Sequence, residues 1–115
     1  RRLYLSWDEA REMQRRGMIL GGHSHRHLTL AALDEDSQRA DIATCADLLH
    51  DRLGPQNSWP FSYPHGVPDD SFDEVTERTV VAQGFSCAFS TEVGANRRGQ
   101  ASTRIRRHDA NDIAA

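Results

Sequence analysis

Helix-start signals alternate with short apolar runs along this chain, and that alternation restricts it to an α/β architecture. Ser6-Trp7-Asp8-Glu9 is a capping box, in which Ser6 accepts from the third helical amide and Glu9 reaches back to the cap. The helix it predicts carries Trp7, Ala10 and Met13 on one buried face and ends at Gly17, while Met18-Ile19-Leu20 reads as a short buried strand. Ile42, Ala46, Leu49 and Leu53 repeat at helical spacing and predict the longest helix, from about Asp34 to Leu53, stopped by Gly54-Pro55. Trp59 to Tyr63 is β-prone and runs into the tight turn Pro64-His65-Gly66. A second capping box, Ser71-Phe72-Asp73-Glu74, predicts a helix that buries Phe72, Val75 and Thr79 and stops at Gly84. Phe85 to Ser90 is the third strand, Thr91 to Ala101 a loop, and Ser102 to Arg107 a fourth, exposed strand. Connections this short and helical imply parallel strands joined by right-handed crossovers.

At 115 residues the chain has room for one domain with a modest core. Its formal charge of -3 comes from interspersed Arg, Asp and Glu, which argues against a nucleic-acid partner. No apolar run approaches the roughly 20 residues that span a bilayer. The sequence opens on Arg1-Arg2 without a Met, so the expectation is a removed leader or a piece of a longer protein; it reads as soluble, with export or association with a bacterial envelope open. Cys45 and Cys87 sit among apolar neighbours and read as buried thiols, which do not fix the compartment.

In parallel α/β sheets ligands bind beyond the carboxyl ends of the strands. Two motifs fall there and are expected to face each other: Gly21-Gly22-His23-Ser24-His25-Arg26-His27 and Tyr63-Pro64-His65-Gly66. Neutral imidazole is a good ligand for Zn²⁺, and His23 and His27, four residues apart, can converge on one ion. The helical HExxH arrangement is rejected, because Ser24 stands where its Glu would be and the two glycines oppose a helix.

These residues resemble a family. Gly22-His23-Ser24-His25-Arg26-His27-Leu28 is similar to the H-[S/T]-x-x-H metal motif of the polysaccharide deacetylases, the NodB-homology carbohydrate esterases. Ser6-Trp7-Asp8-Glu9 with Gly17-Met18-Ile19 resembles their lead-in, Phe61-Ser62-Tyr63-Pro64-His65-Gly66 their "FaYPyG" turn, and Gly84 to Thr91 their "GF.aa.tt" strand. Arg104-Ile105 is similar to the "pRi" strand of the branch acting on exported glucosamine polymers.

The resemblance implies parallel β/α units forming part of a distorted (β/α) barrel. It implies that residues 1–115 are a single, partial deacetylase domain. It further implies that His23 and His27 hold a divalent metal, zinc in the first place, and that a metal-activated water removes acetyl groups from N-acetylated sugars of a polysaccharide. By the same resemblance the turn at Tyr63, Pro64 and Gly66 binds substrate. The His65 amide stands at the oxyanion position, with its side chain a ligand or proton donor. His108, beside Asp109, is the candidate for the family's late catalytic histidine, by composition only.

The family's T/S-F-D-D motif, which supplies a third ligand and the base, has no counterpart before Trp7; Asp69-Asp70 is read as a turn. Tyr63 is the best aromatic candidate for a sugar groove, whereas Trp7, Phe72, Phe85 and Phe89 are read as core. The competing reading is a non-catalytic remnant of the fold that binds glycan or protein. A third is an unrelated α/β domain with structural zinc. An open apolar sheet edge would favour self-association.

Overall fold

The computed structural model describes residues 4–108. Helix α1 spans Trp7–Arg15 and starts with the capping box that the sequence predicts: Glu9 N donates to Ser6 Oγ at 3.1 Å and Ser6 N to Glu9 Oε1 at 3.0 Å. It ends in a left-handed Gly17 (φ +95°), with Gly17 N on Gln14 O at 2.9 Å and Met18 N on Met13 O at 3.0 Å, the paired bonds of a Schellman motif.

That ending explains why Met18 to Leu20 does not form the expected buried strand. The Met18 amide is spent closing α1, and the Gln56 side chain takes both backbone groups of Leu20 at 2.8 Å, standing where a strand would pair. Met18 and Ile19 are more than half exposed, and Trp7 also lies outside the core. The run joins the sheet at one point, a parallel bridge between Gly22 and Phe61.

Helix α2, Glu35–Arg52, is capped by Asp34, which accepts from Ser37 N at 2.7 Å. Its buried face carries Gln38, Asp41, Ile42, Cys45, Ala46 and Leu49. Helix α3, Glu74–Ala82, begins two residues later than its sequence signal, because the operative capping box is Asp73 with Thr76. Phe72 is thereby freed from the helix: it forms an isolated bridge with Pro68 and stacks on the Tyr63 ring at 3.8 Å. Thr76 Oγ1 then donates to the buried Gln38 at 2.6 Å, tying α3 to α2.

Strands β1, Pro60–Ser62, and β2, Cys87–Phe89, pair in parallel with Phe61 opposite Ala88. Ile105 extends the arrangement by a parallel bridge to Phe89, so the fourth expected strand is reduced to one pairing. The order across the sheet is therefore Gly22, β1, β2, Ile105. Leu30, Ile42, Phe61, Tyr63, Phe72, Val80, Phe85 and Ala88 form the centre of the core. Phe85 and Phe72 are core as expected, and Phe89 is only half-buried. Gly22 is required where the chain enters this packing: a Cβ there would lie 2.9 Å from both Cys45 Sγ and a Phe85 ring carbon.

Candidate metal and active site

The histidine loop leaves the sheet at Gly22, whose N–H donates to Pro60 O at 2.9 Å and whose carbonyl accepts from Ser62 N at 2.8 Å. His23 is thus set beside the carboxyl end of β1, and its Nδ1 lies 2.7 Å from Ser62 O. A carbonyl only accepts, so Nδ1 carries the proton and Nε2 of the neutral ring presents a lone pair. That lone pair accepts from His27 Nε2–H at 3.0 Å, a proton whose place a bound metal would take.

The loop holds this pairing by local bonds. Ser24 (φ +66°) and His27 (φ +55°) are both left-handed, and His27 N donates to Ser24 Oγ at 2.9 Å. Asp41 reaches out of α2 and accepts from His25 N and Arg26 N, each at 3.1 Å, with the Arg26 guanidinium nearby. Its side chain is completely buried. The sequence signal for Asp41 was a carboxylate on the apolar face of the longest helix, where only a partnered acid is tolerated.

The second motif arrives as expected on the opposite side. His65, also left-handed (φ +66°), sets its ring edge-on to His27 with centroids 5.1 Å apart. Three of the four non-glycine residues with positive φ among the described residues therefore belong to this site, a concentration of strain typical of functional loops. Thr91, which the sequence did not single out, clamps the turn: its N–H donates to Gly66 O at 2.8 Å and its hydroxyl to His65 O at 3.1 Å. Gly66 (φ +68°) admits this contact because a Cβ would lie 2.7 Å from the Thr91 methyl.

Two expectations about the turn change. Tyr63 does not line a groove: its ring is 1% exposed, stacked on Phe72, and its hydroxyl donates to Thr103 O at 2.8 Å. The alternation that turns Ser62 outward sends Phe61 and Tyr63 inward together. Burial, with Glu77 nearby, pushes the Tyr63 phenol far above its ordinary range, so it stays neutral. Pro64 is buried as well, which leaves His65 as the turn's exposed side chain. His108 is exposed beyond Ile105, and none of the described hydrogen bonds or ring contacts brings it to the cluster. Its suggested neighbour Asp109 lies outside the described residues. Asp69-Asp70 forms a turn, as read.

Two imidazole donors on one tetrahedral zinc lie roughly 3.3 Å apart, from bonds of about 2.0 Å. The His23–His27 separation and the backbone carbonyl behind His23 fit such a donor pair. Among the described residues no group of three or more His, Cys, Asp or Glu is arranged to hold an ion. Cys45 is free and buried behind the loop, and burial pushes its thiol up even though the His23 and Ser24 amides pull it down. Cys87 is also free but only half-buried.

The family profile described as polysaccharide deacetylase matches residues 3–83. The chain belongs to the polysaccharide deacetylase family. Among curated proteins there is no significant match. Solved structures that share its fold include three deacetylases. They are the Streptococcus pyogenes deacetylase PplD in complex with acetate (21% identity, TM-score 0.79) and the BpsB deacetylase domain from Bordetella bronchiseptica (22%, 0.75), with a de-N-acetylase from Aggregatibacter actinomycetemcomitans (14%, 0.70). The alignments cover 90%, 90% and 91% of this chain but 43%, 48% and 48% of those chains, so it spans less than half the length of each. The fold is α/β, with the parallel strands of the deacetylase barrel type.

Proposed function

We propose that this chain is a single, partial deacetylase domain carrying the metal-binding half of a polysaccharide deacetylase site, one that removes acetyl groups from N-acetylated sugars. The observation that carries the reading is the His23–His27 pair, with its donors 3.0 Å apart and the His23 tautomer fixed by Ser62. A bound divalent metal, zinc in the first place, would polarise the acetamide and generate hydroxide near neutral pH.

The chain's own residues then have separable tasks. His23 and His27 supply two nitrogen donors, and Ser24 and Asp41 hold the loop that presents them. His65 places a ring beside His27, and its amide, in the left-handed turn that Thr91 clamps, is the candidate donor to the developing oxyanion. Neighbours named for deacetylation, one of them holding acetate, support this substrate class. No helix among the described residues is long and apolar enough to cross a membrane. A bacterial envelope glycan is the proposed polymer, met in or near the envelope.

Elemental analysis after dialysis against metal-free buffer tests the reading. We expect zinc to be retained and to fall at least tenfold in His23→Ala and His27→Ala, with unfolding transitions close to the parent's when all are compared in chelator, where bound zinc stabilises none of them. Retained zinc in both folded variants would sink the proposal. Retained zinc paired with acetate release from N-acetylglucosamine oligomers identifies a catalytic chain, and zinc without release a binding remnant.

A further inference from the structure

A second feature lies at the same end of the sheet. Residues 93–108 contain five arginines (Arg97, Arg98, Arg104, Arg106 and Arg107) and no Asp or Glu, on a chain whose net charge is -3. Arg97, Arg104 and Arg106 line one cavity of about 540 Å³ with Glu92, Gln100 and Ala101.

The arginines are held unequally. Arg104 is gripped from behind by Glu77, at 3.0 and 3.1 Å, and by Asp69 at 3.3 Å, with its charge over the Phe72 ring. Arg106 is fixed by Glu92 at 3.1 Å and by the Ala95 carbonyl. The Arg97 guanidinium makes no side-chain hydrogen bond or ion pair among the described contacts, although its backbone is pinned by Gln100 Oε1 at 2.7 Å. Asn96 straps this loop to the Arg106 backbone in both directions, at 2.8 and 2.9 Å. One uncompensated guanidinium therefore faces a cavity whose other two are already oriented, and such planar forks match carboxylate and phosphate oxygens.

The cavity adjoins the histidine site through the backbone. Glu92 on its wall directly follows Thr91, which holds the His65–Gly66 turn. We infer that the cavity takes an anionic oxygen group of the polymer, a sugar carboxylate or phosphate, so that the preferred substrate is an acidic N-acetylated glycan and not a neutral one. This rests on the deacetylase reading for the identity of the polymer. The anion site itself rests on the arginines.

Isothermal titration with the full chain tests it, using three probes: a hyaluronan oligosaccharide, which pairs carboxylate with N-acetylglucosamine; an N-acetylglucosamine oligomer of equal length; and inorganic phosphate. We expect the acidic oligosaccharide to bind at least tenfold more tightly than the neutral one. The preference should shrink as salt rises and be lost in Arg97→Ala, but survive in Arg78→Ala outside the cavity and partly in Arg97→Lys. Phosphate that binds and is competed by the oligosaccharide assigns the site to anionic oxygen in general; carboxylate binding without phosphate binding narrows it to sugar acids.

Equal affinity for acidic and neutral oligomers, or a preference unchanged in Arg97→Ala, would overturn the inference. So would tighter binding of a single-stranded oligonucleotide than of the acidic glycan. Arg97-dependent carboxylate binding in a chain whose histidines hold no zinc would locate the failure in the deacetylase reading, with the anion site intact.

Discussion

At the scale of single residues, hydrogen-bond roles decide what each side chain does. His23 offers Nε2 because Nδ1 is committed to the Ser62 carbonyl. Tyr63 shows the same logic in the core, where a phenol stays buried because it donates to Thr103 O. Tyr63→Phe deletes that bond and should cost about 1 kcal/mol at pH 7 by urea unfolding. The folded phenol titrates above the unfolded value near 10, so its stabilisation is complete below about pH 10 and fades as pH rises past it. The gap between parent and Tyr63→Phe should therefore narrow at alkaline pH; a gap that widens there would contradict the assignment. Residue identity made the histidine pair legible in the sequence. It left Tyr63 misplaced, because a turn residue next to an exposed His65 can still point inward when Phe72 waits to stack on it.

At the scale of elements, α2 is the part that organises the site. Its buried face packs Ile42, Cys45 and Leu49 into the core, while Asp41 on the same face grips the loop that carries both histidines. Asp41→Ala leaves two inward-facing amides without an acceptor and should destabilise the fold by about 1–3 kcal/mol. It should also weaken zinc binding about tenfold, because the loop no longer fixes the histidine spacing. Asp36→Ala, on the exposed side of α2, should stay within about 0.5 kcal/mol in urea unfolding and keep its zinc affinity. A folded Asp41→Ala chain with undiminished zinc affinity would refute the role given to α2.

The helices were legible because capping boxes, glycines and apolar spacing are local signals. The edge strands were not, since pairing depends on what the chain meets in space. Gln56 occupies the Leu20 backbone, and Ile105 touches Phe89 at a single bridge. The second capping box moved in a related way: Asp73 with Thr76 starts the helix, and Phe72 stacks on Tyr63 in the core.

At the scale of the whole molecule, a parallel sheet is stable when its faces and edges are covered. On the Gly22 side the described residues offer no further strand, and Tyr4, Leu5, Trp7, Met18 and Ile19 are exposed on the segments leading to that edge. Apolar surface concentrated at one edge of a sheet favours pairing with another copy. We expect concentration-dependent self-association in analytical ultracentrifugation. Ile19→Asp should shift the distribution toward monomer, because it places a charge in the contact while touching little of the core. Its unfolding free energy, measured where the parent is also monomeric, should stay within about 0.5 kcal/mol of the parent's. Sedimentation as a monomer over a hundredfold concentration range would mean that the edge needs no cover. The arginine-rich segment lies at the opposite side of the sheet, beyond Ile105, so association through the Gly22 edge leaves the anion cavity open in the assembled form.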